Sequence, residues 1–180
     1  MTVSSPLPPP ELSKIIKLSE IGGTPLTGKI VADDKQCAAL AKRFELPSIE
    51  SIKADYRLEA KVHEISFTGS IQSELHQACA ISGQPFPVSV TEEFDIVFIE
   101  KTDIPPSEEE IELAPEDCDV IEYEAEQIDL GEAIAQTLYL ALDPYPRGPD
   151  ADSIAEKKGL KSEEEAGPFG ALAALKDKLG

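Results

Sequence analysis

Catalysis, metal binding and phosphate binding need histidines, cysteines, clustered carboxylates or glycine-rich turns at workable spacings, and this 180-residue chain offers few. Its two histidines, His63 and His76, lack the HxH or HxxxE spacing that sets two donors toward one ion. Neither has a serine or cysteine neighbour in sequence that suggests a proton relay. Both are expected at the core edge or on the surface. Gly28-Lys29-Ile30 does not satisfy the GxxxxGK[ST] pattern of a phosphate loop, because Ile30 stands at the Ser/Thr position. The acid run at 108–117 lacks the alternating-aspartate spacing of a calcium loop and reads as a solvated segment. Cys37, Cys79 and Cys118 are odd in number, far apart and outside any CxxC pair, as expected for reduced thiols of a cytosolic protein. No catalytic constellation emerges. A non-enzyme without metal or cofactor is expected; an enzyme would require a deep pocket around His63 or His76.

One stretch points to recognition instead. In "DLGEAIAQTLYLALDPYPRGPD" (129–150) an apolar helix meets Asp143-Pro144. Proline lacks an N–H and disfavours helical geometry in the residue before it, so these two residues suffice to end the helix. Tyr145, Pro146 and Arg147 exceed that requirement. Either Tyr145 packs back on the sheet while Arg147 pairs with a local acid, or the rigid Pro-Tyr-Pro presents both to a partner.

Charge narrows the partners. Sixteen basic residues against thirty-five acidic ones give a formal net charge of −19. Affinity for nucleic acid rests largely on Lys and Arg displacing counterions from phosphates, so direct binding of naked RNA is not expected. The balance favours attraction to basic partners, with acidity that serves only solubility as the alternative. Phe67, Phe94 and Phe98 could stack bases on an open sheet, but they are not interleaved with Lys or Arg and read as core. The start of the chain has no charged and apolar pair of regions that would mark a secretory signal, and no apolar run approaches the roughly 20 residues that span a bilayer. A cytoplasmic protein is expected.

The elements that must position these residues are legible from periodicity. Residues 1–12, with four prolines, read as a flexible lead-in. Short strands are expected over 13–21 and 25–32. A helix over about 35–45, capped by Asp33 or Asp34, places Cys37, Leu40, Ala41 and Phe44 on one face. Ile52, Ala54, Tyr56, Leu58 and Ala60, then Ile65, Phe67, Gly69, Ile71, Ser73 and Leu75, then Val88, Val90, Phe94, Ile96 and Phe98 alternate with polar residues. Three long strands in an antiparallel meander follow from that period. An acidic loop is expected over about 102–119 and a short strand at "DVIEY". Asp129 should cap the last long helix, with Glu132 completing a capping-box spacing. Residues 148–167 read as a flexible linker, and 168–180 as a C-terminal amphipathic helix carrying Phe169, Leu172 and Leu175. The expected fold is α+β: a single domain over 13–147, with a strongly curved or barrel-like antiparallel sheet covered by two to three helices.

The order of features resembles one family. A meander ends in the cysteine-bearing turn "ACAISGQPFPVSV", followed by an acidic loop, Ile128-Asp129-Leu130-Gly131-Glu132, the Leu-Asp-Pro-Tyr-Pro-Arg stop and a Pro-Phe-x-x-Leu-x-x-Leu tail. This is similar to the YceD (DUF177) family in the form found in alphaproteobacteria. The resemblance implies a non-enzymatic role in large ribosomal subunit biogenesis and 23S rRNA accumulation. Many members carry CxxC in the turn and further cysteines after the helix, a zinc arrangement; here Ser82 stands at the second position beside Cys79, so no metal is expected. Joined to the charge, the implied partner is a basic ribosomal protein or a pre-50S particle, with an acidic interaction module for some other basic partner as the alternative. The candidate contacts are Asp129, Glu132, Tyr145, Pro146, Arg147, Phe169, Leu172 and Leu175.

Overall fold

Long half-apolar strands followed by an apolar helix call for a sheet covered by helices. The computed structural model, which describes residues 10–101 and 119–159, has that arrangement. In chain order it contains β1 (Ile15–Lys17), a 3-10 turn (Leu18–Glu20), β2 (Leu26–Val31), α1 (Asp34–Arg43), β3 (Ser48–Ala60), β4 (Glu64–Ala78), β5 (Pro85–Glu100), β6 (Asp119–Tyr123), β7 (Gln127–Asp129), α2 (Leu130–Leu140) and α3 (Ala151–Lys158). Among the described residues two compact units result, one within 10–76 and 87–142 and the other within 77–86 and 143–159.

In the first unit, a five-stranded sheet has the order β2-β3-β4-β5-β6, and β1 pairs separately with β7. The β2–β3 and β3–β4 pairs are antiparallel, whereas β5 and β6 are parallel from Ile96↔Asp119 to Glu100↔Tyr123. The sheet is therefore mixed rather than a pure meander. It is also not closed into a barrel: among the described residues β2 and β6 are its two ends. Asp33 caps α1 in a reciprocal box, its carboxylate accepting from the Gln36 N–H at 2.9 Å while Gln36 Oε1 accepts from the Asp33 N–H, an arrangement that contributes about 1 kcal/mol.

Alternation holds along the strands with one interruption. Ile52, Ala54, Tyr56 and Leu58 are buried, but Ala60 is exposed and Ile49, of opposite parity, is buried. A bulge between Ile49 and Ser51 accounts for the buried Ile49: one extra residue flips the side-chain parity, so Glu50 faces solvent while Ile49 and Ile52 both face the core. The buried Ser73 hydroxyl donates to the Ser51 carbonyl beside the bulge at 2.8 Å. Phe67 is the centre of the core, with Phe94, Phe98 and Tyr56 at ring-centroid distances of 4.7, 5.8 and 5.9 Å. Those aromatics are buried and offer no stacking platform for bases. Gly69 makes the Phe94 contact possible, because a Cβ there would lie 2.1 Å from the Asp55 carbonyl and 2.7 Å from the Phe94 ring.

Two boundaries differ from the sequence expectation. Part of the expected lead-in is tied down: Leu12 is buried and Glu11 pairs with Arg43. In the second unit, the stretch expected as a flexible linker contains α3, which buries Ala151 and ends at Gly159 in the left-handed conformation (φ 65°). The acidic loop from 102 to 118 and the amphipathic tail at 168–180 lie outside the described residues.

Candidate partner-contact surfaces

In the first unit, Asp129 is the N-cap of α2 and more. Its carboxylate accepts from the N–H groups of Gly131 (3.0 Å) and Glu132 (3.3 Å), and also from the Ser13 hydroxyl (2.6 Å) and the Lys14 N–H (2.8 Å). One side chain thus fastens both the start of the helix and the strand that pairs before it. Gly131 completes the joint, since a Cβ there would come 2.7 Å from the Leu12 carbonyl and 2.8 Å from the Lys14 nitrogen.

Glu132 does not close the expected capping box. Its carboxylate takes a two-pronged ion pair from Arg43 at the end of α1 (2.7 and 2.9 Å), and Arg43 also reaches Glu11 at 3.0 Å. The guanidinium beside it holds the Glu132 carboxyl below the usual carboxylate range, and Gln136 adds a bond at 2.9 Å. The partner is 89 residues away in sequence, so spacing within α2 could not reveal it. Beside this ion pair, the Phe44 and Tyr139 rings lie 5.1 Å apart. Together with Arg43, Gln136 and Leu140 they line an open cavity of about 330 Å³. Leu140 is 74 % exposed and Tyr139 53 %.

In the second unit, the helix stop is clipped to the cysteine turn. The Asp143 carboxylate accepts from the Tyr145 N–H at 2.8 Å, the Pro146 carbonyl from the Ala80 N–H at 2.8 Å, and the Asp143 carbonyl from Gln77 Nε2 at 3.0 Å. Arg147 pairs with Asp152 on α3, and Lys158 donates to the Ile81 carbonyl. Gly148 lies against the Phe86 ring and the Cys79 side chain. Pro146 and Arg147 are therefore engaged within the unit, and Tyr145, 78 % exposed, is the side chain it presents. Cys79 is buried, and hydrogen bonds from the Ser82 side chain and from the backbone at Gly148 and Ser82 lower its thiol pKa to about 6.

The histidines do not form a relay. His76 Nδ1 faces both Glu50 Oε1 (2.8 Å) and Ser48 Oγ (3.1 Å), so base and hydroxyl meet the same ring nitrogen, whereas a relay needs them on opposite nitrogens. His63 is exposed in the β3–β4 turn.

Residues 67–176, more than half of the chain, match the family model described as large ribosomal RNA subunit accumulation protein YceD. The chain belongs to the YceD family. No curated protein and no solved structure gave a significant match. Two of the YceD-like fingerprints now have physical roles. The Asp-Leu-Gly-Glu segment locks the entrance of α2, and the Pro-Tyr-Pro-Arg segment fastens the turn that follows β4. A zinc arrangement does not fit this YceD member's turn. Cys79 has Ser82 where a second cysteine would stand, and no group of three or more potential ligands occurs among the described residues. Phe169, Leu172 and Leu175 lie outside the described residues. No helix among those residues is long and apolar enough to cross a membrane.

Proposed function

We propose that this YceD member is a non-enzymatic, cytosolic factor that supports accumulation of large-subunit ribosomal RNA by contacting a basic ribosomal protein or assembly intermediate, not by gripping RNA. The observation that carries this reading is the state of its cations. All three arginines of the chain are held by carboxylates: Arg43 by Glu11 and Glu132, Arg57 by Glu59, Arg147 by Asp152. A carboxylate on a guanidinium competes with phosphate for the same donors. Lys29, Lys61 and Lys101 are likewise paired with acids. The net charge of −19 repels rRNA and attracts the basic proteins that must be delivered to it. Tyr145 supports the reading as an exposed aromatic on a fastened turn, the type of anchor that dominates protein interfaces.

The test is a sucrose-gradient ribosome profile of a deletion strain, with capture of partners on the purified full-length chain. A large-subunit deficit and recovery of a basic ribosomal protein are expected. A normal profile, with only non-ribosomal basic proteins recovered, would move the assignment to a general acidic interaction module.

A further inference from the structure

We infer that the open shelf formed by Phe44, Tyr139 and Leu140, where the ends of α1 and α2 meet, is the docking site for a lysine- or arginine-rich amphipathic segment of a partner protein. The inference rests on the proposed function and assigns it a surface. Three observations select this place and this occupant. First, Tyr139 and Leu140 stand 53 % and 74 % exposed, although α2 buries Leu130, Ala133, Ile134, Ala135 and Leu138. A helix stripe that continues into solvent as a tyrosine and a leucine costs solubility unless something covers it. Second, the recess is a cavity of about 330 Å³ with the Phe44 ring as one wall, a size for one or two large apolar side chains.

Third, the rim is acidic in spite of its arginine. Arg43 is neutralised by Glu132 and Glu11, which leaves one carboxylate in excess. Glu11 and Glu132 keep 28 % and 25 % of their side chains exposed, and each carboxylate has acceptor sites beyond those its bonds to Arg43 take. An occupant with apolar side chains on one face and cations on the flank satisfies both features, in the helix-in-groove manner. A second copy of this chain does not, because two molecules of charge −19 would have to bring acidic rims together.

The probe is a synthetic 18-residue peptide of leucine and lysine at helical spacing, titrated at physiological salt against the full-length protein labelled with nitrogen-15. The expected result is backbone shift changes centred on Phe44, Gln136, Tyr139 and Leu140, with affinity reduced about tenfold or more by Leu140→Glu. That variant separates docking from bulk attraction, because it adds negative charge: purely electrostatic binding would strengthen. Leu140 is largely exposed, so the variant is expected to keep its melting temperature, and Leu140→Gln, which adds no charge, checks the loss of apolar contact alone. Unchanged or tighter binding by Leu140→Glu overturns the inference and leaves the proposed function standing, since the ribosome profile tests that separately. Self-association abolished by Leu140→Glu would assign the shelf to a second copy. Binding that appears only after removal of residues 160–180 would assign it to the chain's own tail. Either result overturns the inference.

Discussion

Asp129→Ala is the perturbation that most sharply separates architecture from partner contact. The carboxylate accepts from four donors, two at the start of α2 and two on the segment that enters β1. Removing an N-cap of this kind costs about 1 kcal/mol. The bonds from the Ser13 hydroxyl and the Lys14 N–H are exposed, which places them at the low end of the range for bonds to a charged acceptor, about 1 kcal/mol together or somewhat more. The expected loss is therefore about 2–3 kcal/mol, or roughly 5–10 °C in melting temperature for a chain of this length. Asp129→Asn should lose about half as much, because asparagine caps helices as well as aspartate but accepts through one oxygen. Urea unfolding followed by circular dichroism reads both variants. If Asp129→Ala shifts stability by less than about 0.5 kcal/mol, water replaces all four bonds at no cost. Asp129 would then be free to serve a partner, contrary to the structural role argued above.

The remaining predictions concern the core, the cysteine turn and the exposed tyrosine. Gly69→Ala should cost about 2–3 kcal/mol, since the new methyl group meets the Asp55 carbonyl and the Phe94 ring; an unchanged urea midpoint would show that the strands separate there without strain. The Cys79 thiol has a folded-state pKa of about 6 against 9.0 unperturbed. Between pH 6 and 9 the unfolded chain thus binds more protons at this site, and its contribution to stability grows as pH rises and is lost as pH falls through 6. Ultraviolet titration of the thiolate checks the value, and Cys79→Ser should remove that part of the pH slope; a thiol titrating near its ordinary value would refute it. Tyr145→Ala should leave the melting temperature within about 1–2 °C, because the ring is exposed, while weakening partner capture. A large drop in melting temperature would make Tyr145 a structural residue.

How far the sequence reached depends on the range of the interactions involved. The three long strands were legible because a period of two is a local property, and so was the cap at Asp129, while the fold chooses Asp33 over Asp34 for α1. The Glu50 bulge was not, since one inserted residue shifts parity without leaving the strand's composition. The parallel pairing of β6 on β5 depends on the path of a connection, which periodicity does not encode. Helix α3 left a trace that could have been weighed: Lys157 and Lys158 in the last turn followed by Gly159 is a helix-end signal. Glu132 looked like half of a capping box because the spacing fitted, but an arginine brought in by the fold offers a stronger partner than a backbone N–H. The Pro-Tyr-Pro-Arg segment exceeds what a helix stop requires, and that much is legible in the sequence. The fold then divides it, with Pro146 and Arg147 fastening the cysteine turn and Tyr145 left outward.

The most direct measurement of the central claim is a side-by-side binding experiment. The purified full-length chain is presented, at physiological salt, with naked large-subunit rRNA and with the mixed basic proteins of the large subunit. Retention of one or a few basic ribosomal proteins, with rRNA left in solution, is the predicted result. Tight retention of rRNA with no ribosomal protein bound would contradict the account.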